Sequence, residues 1–231
     1  GICKNEDKTL LLIKSKIIYA FLQQILFQQE NEDENFTKKT KHLDTWYLID
    51  TKNLCKQCGL DETKIYMVSQ VIKENTQNQF FYMQGDIADV AIRWIDAFAF
   101  DTEDGNWHIH ISDLAETFIK NFRKIFSAKI LESFMNYKTI LGFRLHGIFV
   151  KELAERNLPN ERKTLNEVFI ITFSFDRLRE LSISEKEIGF EKDVLFPAIE
   201  EINRLKYFYV DIKRREKEII FFVKVVEKNT K

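Results

Sequence analysis

Twice along its 231 residues, the apolar pattern of this chain changes period in the same order. The first pass begins with a long amphipathic stretch at about residues 8–29, spaced as a helix. The acidic segment "ENEDENFTKKTKH" follows and reads as a surface loop around Glu30–Glu34. Next come a short strand, "TWYLI", and a helix, "TKNLCKQCG", with Asp50 or Thr51 as its N-cap. After a turn at Gly59, "DETKIYMVSQVIKEN" places Ile65, Val68 and Ile72 at helical spacing. Two β-rich runs, "DVAIRWIDAFAF" and "NWHIHIS", close the pass, joined by "DTEDG", whose Asp-Gly signals a hairpin.

The second pass repeats this order. A helix runs through "YKTILGFRLHGIFVKELAERN" and is ended by Pro159. The strand "VFIITFS" leads to Ser174, which is placed to cap the helix "FDRLRELS". The turn "ISEKEIG" precedes a helix in "FEKDVLFPAIEEIN". Finally "YFYVDI" and "EIIFFVKVV" flank the polar turn "KRREK". With only 2 Pro in the chain, Pro197 inside that last helix stands out. It starts a new helical segment or kinks the existing one, and a kink is expected.

Helix, strand, helix, turn, helix, hairpin is the layout of a winged helix, in which two short helices form a helix-turn-helix and the hairpin is the wing. The fold class expected is therefore α+β, as two tandem winged-helix domains. Domain 1 spans 1–118, a connecting helix 119–135, and domain 2 136–231. The length suits two such cores.

Charge is segregated beneath a net −1. Residues 1–118 hold 12 Lys and Arg against 19 Asp and Glu, while residues 119–163 hold 10 against 4. An acidic front and a basic middle suggest different partners, although a chain of this length also shows such fluctuation by chance. Three cysteines outside any framework suggest a reducing, cytoplasmic compartment. Lys14, Lys16 and two glutamines interrupt the longest apolar run, which argues for a core helix over a membrane span. No signal-peptide pattern is visible.

"FEKDVLFPAIEEIN" followed by an aromatic hairpin resembles the replication initiator (Rep) proteins of iteron-containing plasmids, which carry a "VLxPAIxEIN"-like core before a β-rich wing. "YKTILGFRLHGIFVKEL" is similar to that family's helix with an "S-x-R-LYELL"-like run. "IRWIDAFAFDTEDGNWHIHISDLAETFI" looks like the first domain's wing and its exit. The resemblance implies two winged helices and binding to direct repeats in origin DNA. It also implies opening of adjacent AT-rich DNA, recruitment of host replication proteins, and an autoregulatory homodimer formed through the first domain. It implies no enzymatic chemistry and no cofactor.

Candidate DNA-binding residues follow. In domain 2 they are Lys186, Lys192 and Asn203 on the recognition helix, Arg204 and Lys206 after it, and Lys213, Arg214, Arg215 and Lys217 in the wing turn. Asn203 equally suits a helix C-cap. In domain 1 they are Lys64, Tyr66 and Lys73. A helical projection turns Lys192, Asp193, Phe196, Glu200 and Asn203 outward, and acids there oppose phosphate. Phe196 suits a thymine methyl or a packing contact. Lys120, Arg123, Lys124 and Lys129 form a basic stretch that suits a duplex or a wet helix face.

Cys55-x-x-Cys58 lacks the second pair that structural zinc needs, so both read as buried small residues. His108 and His110 share a strand face without an evident third ligand, so no metal is expected. The alternatives are a transcriptional regulator on the same fold, or an interaction module that has lost DNA affinity. An enzyme is the class least supported, because no catalytic set, phosphate loop or carboxylate pair stands out.

Overall fold

The computed structural model describes residues 3–35, 46–76, 80–83, 90–93, 95–123, 125–156 and 168–226. It is an α+β chain whose contacts divide it into two compact units, one of residues 13–135 and one of residues 1–12 with 136–231. Pro159 and Lys124 fall outside the described residues.

In the unit of residues 13–135, helix α1 (Cys3–Asn35) contributes Ile17, Phe21, Ile25 and Leu26 to the core. The helix extends to Asn35, so Glu30–Glu34 are helical instead of the expected loop. Glutamate is a strong helix former, and no Gly or Pro stops the helix there. By length and composition alone the Lys8–Glu30 part of α1 would also suit a bilayer. In the structure, its side chains at 17, 20, 21, 25 and 26 are buried.

Strand β1 (Trp46–Ile49) turns Tyr47 and Ile49 inward. Asp50 caps α2 (Thr51–Gln57) by accepting from the Asn53 amide at 2.9 Å. Gly59, at φ 68, makes the turn. A 3-10 turn (Glu62–Lys64) precedes α3 (Ile65–Thr76).

The run "DVAIRWIDAFAF" does not form one strand. Its first part, β3 (Val90–Arg93), pairs with β2 (Phe80–Met83), a strand not anticipated in "FFYM". Its second part, β4 (Ile95–Phe100), pairs with β5 (Trp107–Ile111). Both parts are rich in β-formers, and composition does not say which partner a strand takes. β1 adds to the other side of β5, giving the antiparallel order β1-β5-β4.

Residues 119–135 are not a single helix. α4 (Asp113–Arg123) ends, and α5 (Ala128–Ser133) starts afresh on a Ser127 cap. Ser127 accepts from the Ile130 amide, and a serine offering that bond competes with a continuous helix.

In the other unit, α6 (Ile140–Arg156) leads to β6 (Val168–Ser174). Ser174 caps α7 (Phe175–Ser182) by accepting from Arg177 N at 3.1 Å. Helix α8 (Phe196–Leu205) then packs between α6 and β7 (Phe208–Arg215), which pairs with β8 (Glu218–Val225) in the antiparallel order β6-β8-β7. The core is aromatic: Phe149 meets Phe208 at 5.6 Å and Phe221 at 6.1 Å between ring centroids. Within it, Tyr137 Oη lies 2.8 Å from His146 Nδ1, and burial drives the His146 pKa down to about 3.

Pro197 is resolved by a π-turn. Residues Glu191–Leu195 form a wider helical turn, in which the Phe196 amide donates to the Glu191 carbonyl, five residues back. α8 then begins with Pro197 in its first turn, where its missing N–H costs little. The helix widens ahead of the proline without breaking, and π-turns of this kind recur at functional sites.

Candidate nucleic-acid interface

The second unit contains an open cleft of about 760 Å³ between the start of α7, the π-turn and the β7–β8 hairpin. Lys192, Arg214 and Lys217 line it, with Phe196, Glu187, Glu191 and Glu216. The hairpin is tighter than "KRREK" suggests. Lys213, Arg214 and Arg215 belong to β7, and the turn is Glu216–Lys217 alone, with Glu216 at φ 22. Cross-strand pairing holds as far as Arg215 against Glu218, so the ladder absorbs residues that polarity assigned to the turn.

Arg214 is held from two sides. Its guanidinium sits 5.3 Å from the Phe175 ring centroid and donates to Glu191 at 2.9 Å. Three other acids of this face are similarly engaged. Lys186 reaches Asp193 at 3.3 Å, and Arg179 pairs with Asp176 and with Glu187, the latter at 3.0 Å. Glu200 and Glu216 have no such partner, and both are exposed. Among the described residues, Lys192, Lys206, Lys213, Arg215 and Lys217 are exposed bases that make no ion pair.

Two expectations for the recognition helix change. Lys186 lies in the connection ahead of it, because the helical stretch begins only at Phe190. Asn203 faces β7: its Nδ2 donates to the Val210 carbonyl at 2.9 Å, and its Oδ1 accepts from the Val210 amide at 2.6 Å. This two-bond contact uses the same donor–acceptor edge that an adenine would need. Nor is Asn203 the C-cap. That position is Lys206, in the left-handed region at φ 56. Arg204 is exposed and 3.7 Å from Glu201.

In the first unit, Lys64 ends the 3-10 turn and is exposed. Tyr66 is 74% exposed on α3, where its hydroxyl accepts from Gln70 at 2.7 Å. Lys73 sits 5.8 Å from the Phe98 ring centroid. Lys120 pairs with Glu116 within α4.

Cys55 and Cys58 are buried, and burial pushes the Cys58 thiol up to about 12 and raises Cys55. His108 and His110 are half-buried on β5, and His110 lies 3.7 Å from Asp96. Among the described residues, no group of His, Cys, Asp and Glu is arranged to hold a metal ion.

Sequence reasoning missed Glu201, which is 6% exposed. Its carboxylate accepts from the Lys138 amide at 2.6 Å, the Thr139 amide at 2.9 Å and the Thr139 hydroxyl at 2.6 Å. Thr139 in turn accepts from the Gly142 amide, capping α6. An acid at an apolar-facing position of α8 was the available signal, but its partner lies more than 60 residues away.

No protein-family profile matches the sequence, and no curated protein matches it. The fold does match a solved structure, described as the crystal structure of Pi initiator protein in complex with iteron DNA. The TM-score is 0.59 at 15% identity, covering 94% of this chain and 92% of that one. At this identity the likeness is one of fold, and it extends over nearly the whole of both chains.

Proposed function

We propose that this chain is a DNA-binding, initiator-like protein built from two winged helices, with the second reading double-stranded DNA. The carrying observation is the charge arrangement around α8 and its hairpin. Glu187, Glu191 and Asp193 are neutralised within the fold, Glu200, Asp211, Glu216 and Glu218 are not, and Lys192, Lys206, Lys213, Arg215 and Lys217 remain exposed and unpaired. Unpaired bases beside a helix-turn-helix supply phosphate contacts. The fold-level likeness to a protein solved with iteron DNA supports the same reading. Direct repeats at a replication origin are the target this reading assigns. A homodimer through residues 1–118 and host replication proteins are its further partners.

The test is fluorescence anisotropy across about 50–200 mM salt with three duplexes: direct repeats, a palindrome and a scrambled control. Tight binding that prefers the repeats, with a log–log salt slope near −0.9 per phosphate contact, supports the initiator reading. Preference for the palindrome moves the assignment to a transcriptional regulator. No binding at low salt refutes the DNA reading and points to a protein partner.

A further inference from the structure

We infer that Phe196 and Ile188 read thymine methyl groups, which makes them specificity-determining residues for the DNA target. The inference rests on the DNA-binding reading above and adds to it which chemical feature of the bases is recognised.

Hydrogen-bonding readers are scarce on the outward side of the π-turn and α8. Asn203 is engaged by the Val210 backbone, Glu191 by Arg214, and Asp193 by Lys186. Glu201 is buried beneath the α6 N-terminus. Lys192, Glu200 and Arg204 remain, with apolar side chains beside them.

Phe196 is 42% exposed at the first position of α8 and lines the same cleft as Lys192, Arg214 and Lys217. Ile188 is 96% exposed in the turn just ahead of Gly189, which also lines that cleft. An isoleucine so fully exposed gains nothing from the fold. The π-turn and Pro197 fix where Phe196 emerges. In the major groove, the only apolar feature of a base edge is the thymine 5-methyl group. Bases that position the backbone, with apolar side chains between them, therefore suit a thymine-containing target.

The experiment uses the full chain. A duplex is first recovered by selection from a random pool of about 20 base pairs, the span of two half-sites. Each thymine is then replaced singly by deoxyuridine, which removes only the methyl group. The expected result is a loss of about fourfold at one or more thymines, the factor carried by one buried methyl group. In Phe196→Ala or Ile188→Ser the loss at a given thymine disappears, while the salt slope is unchanged. Ile188→Ser removes no buried surface, so it serves even if Phe196→Ala disturbs folding. Phe196→Leu retains an apolar contact and is expected to restore sensitivity.

If wild type binds the selected duplex and no deoxyuridine replacement weakens it, the methyl assignment is wrong while DNA binding stands. Variants that stay as methyl-sensitive as wild type also refute it. If the pool yields no duplex bound above competitor, the DNA-binding reading fails and the assignment falls with it.

Discussion

Replacing Glu201 with glutamine tests the polar contact that ties α8 to the start of α6. The carboxylate takes three hydrogen bonds, at 2.6, 2.9 and 2.6 Å, in a nearly water-free position. Glutamine keeps the shape but offers one oxygen and one NH₂. Whichever way the amide turns, NH₂ meets either the Lys138 or the Thr139 amide, donor against donor. Hydrogen bonds to a charged acceptor contribute about 1.5–3 kcal/mol, and a buried donor left unmade costs about 1–3 kcal/mol. Losing one or two of the three gives an expected destabilisation of about 2–4 kcal/mol. Glu200→Gln, an exposed neighbour on the same helix, is the control and is expected within about 0.5 kcal/mol of wild type.

The assay is urea unfolding followed by far-UV circular dichroism, with hydrogen exchange of the 138–146 segment alongside. Trp46 and Trp107 lie in the unit of residues 13–135, and the third tryptophan falls between them in sequence, so fluorescence does not serve for the unit with the mutation. A Glu201→Gln midpoint matching Glu200→Gln, with amide protection at 138–146 retained, would refute the reasoning.

Gly142→Ala tests the same contact sterically. A Cβ there would meet Thr139 Oγ1 at 2.6 Å and Glu201 Oε2 at 3.1 Å. A melting temperature lowered by several degrees is expected, against the gain that Gly→Ala normally brings inside a helix. His146 should set an acid limit on stability. Its folded pKa is depressed to about 3 from 6.5, so the unfolded chain binds the proton more readily. Stability is thus lost as pH falls below about 6.5, by about 1.4 kcal/mol per unit until about 3, and His146→Gln should show a shallower pH dependence in the same melts. Lys213, Arg215 and Lys217 changed singly to Ala should each flatten the salt slope of DNA binding by about 1, measured by anisotropy. Glu200→Gln should tighten binding to scrambled duplex, since it removes an unpaired acid from the exposed side of α8. Native Cys55 and Cys58 should resist a thiol reagent that labels them readily in urea, because only the thiolate reacts.

Local physics made much of this fold legible. Strand β6, the Ser174 cap, the Asp50 cap and the β7–β8 hairpin follow from alternation, capping chemistry and turn residues, all of which act within a few positions. What escaped was everything set by distant partners. Whether "DVAIRWIDAFAF" made one strand or two depended on "FFYM" upstream. "KRREK" looked like a turn until β8 paired along it to Arg215.

The candidate site divides in the same way. Its basic side chains, and the outward placement of Lys192 and Phe196, were read from composition and helical spacing. Which acids would be neutralised was decided by folding, because Glu191 meets Arg214 from 23 positions away in sequence. Asn203 changed from a candidate base reader to a tie onto β7, since an amide takes whichever backbone edge the tertiary fold brings to it. Pro197 shows both contributions together. Its sequence required that one helical bond be missing, and packing of the surrounding helix decided that a π-turn would accommodate the loss.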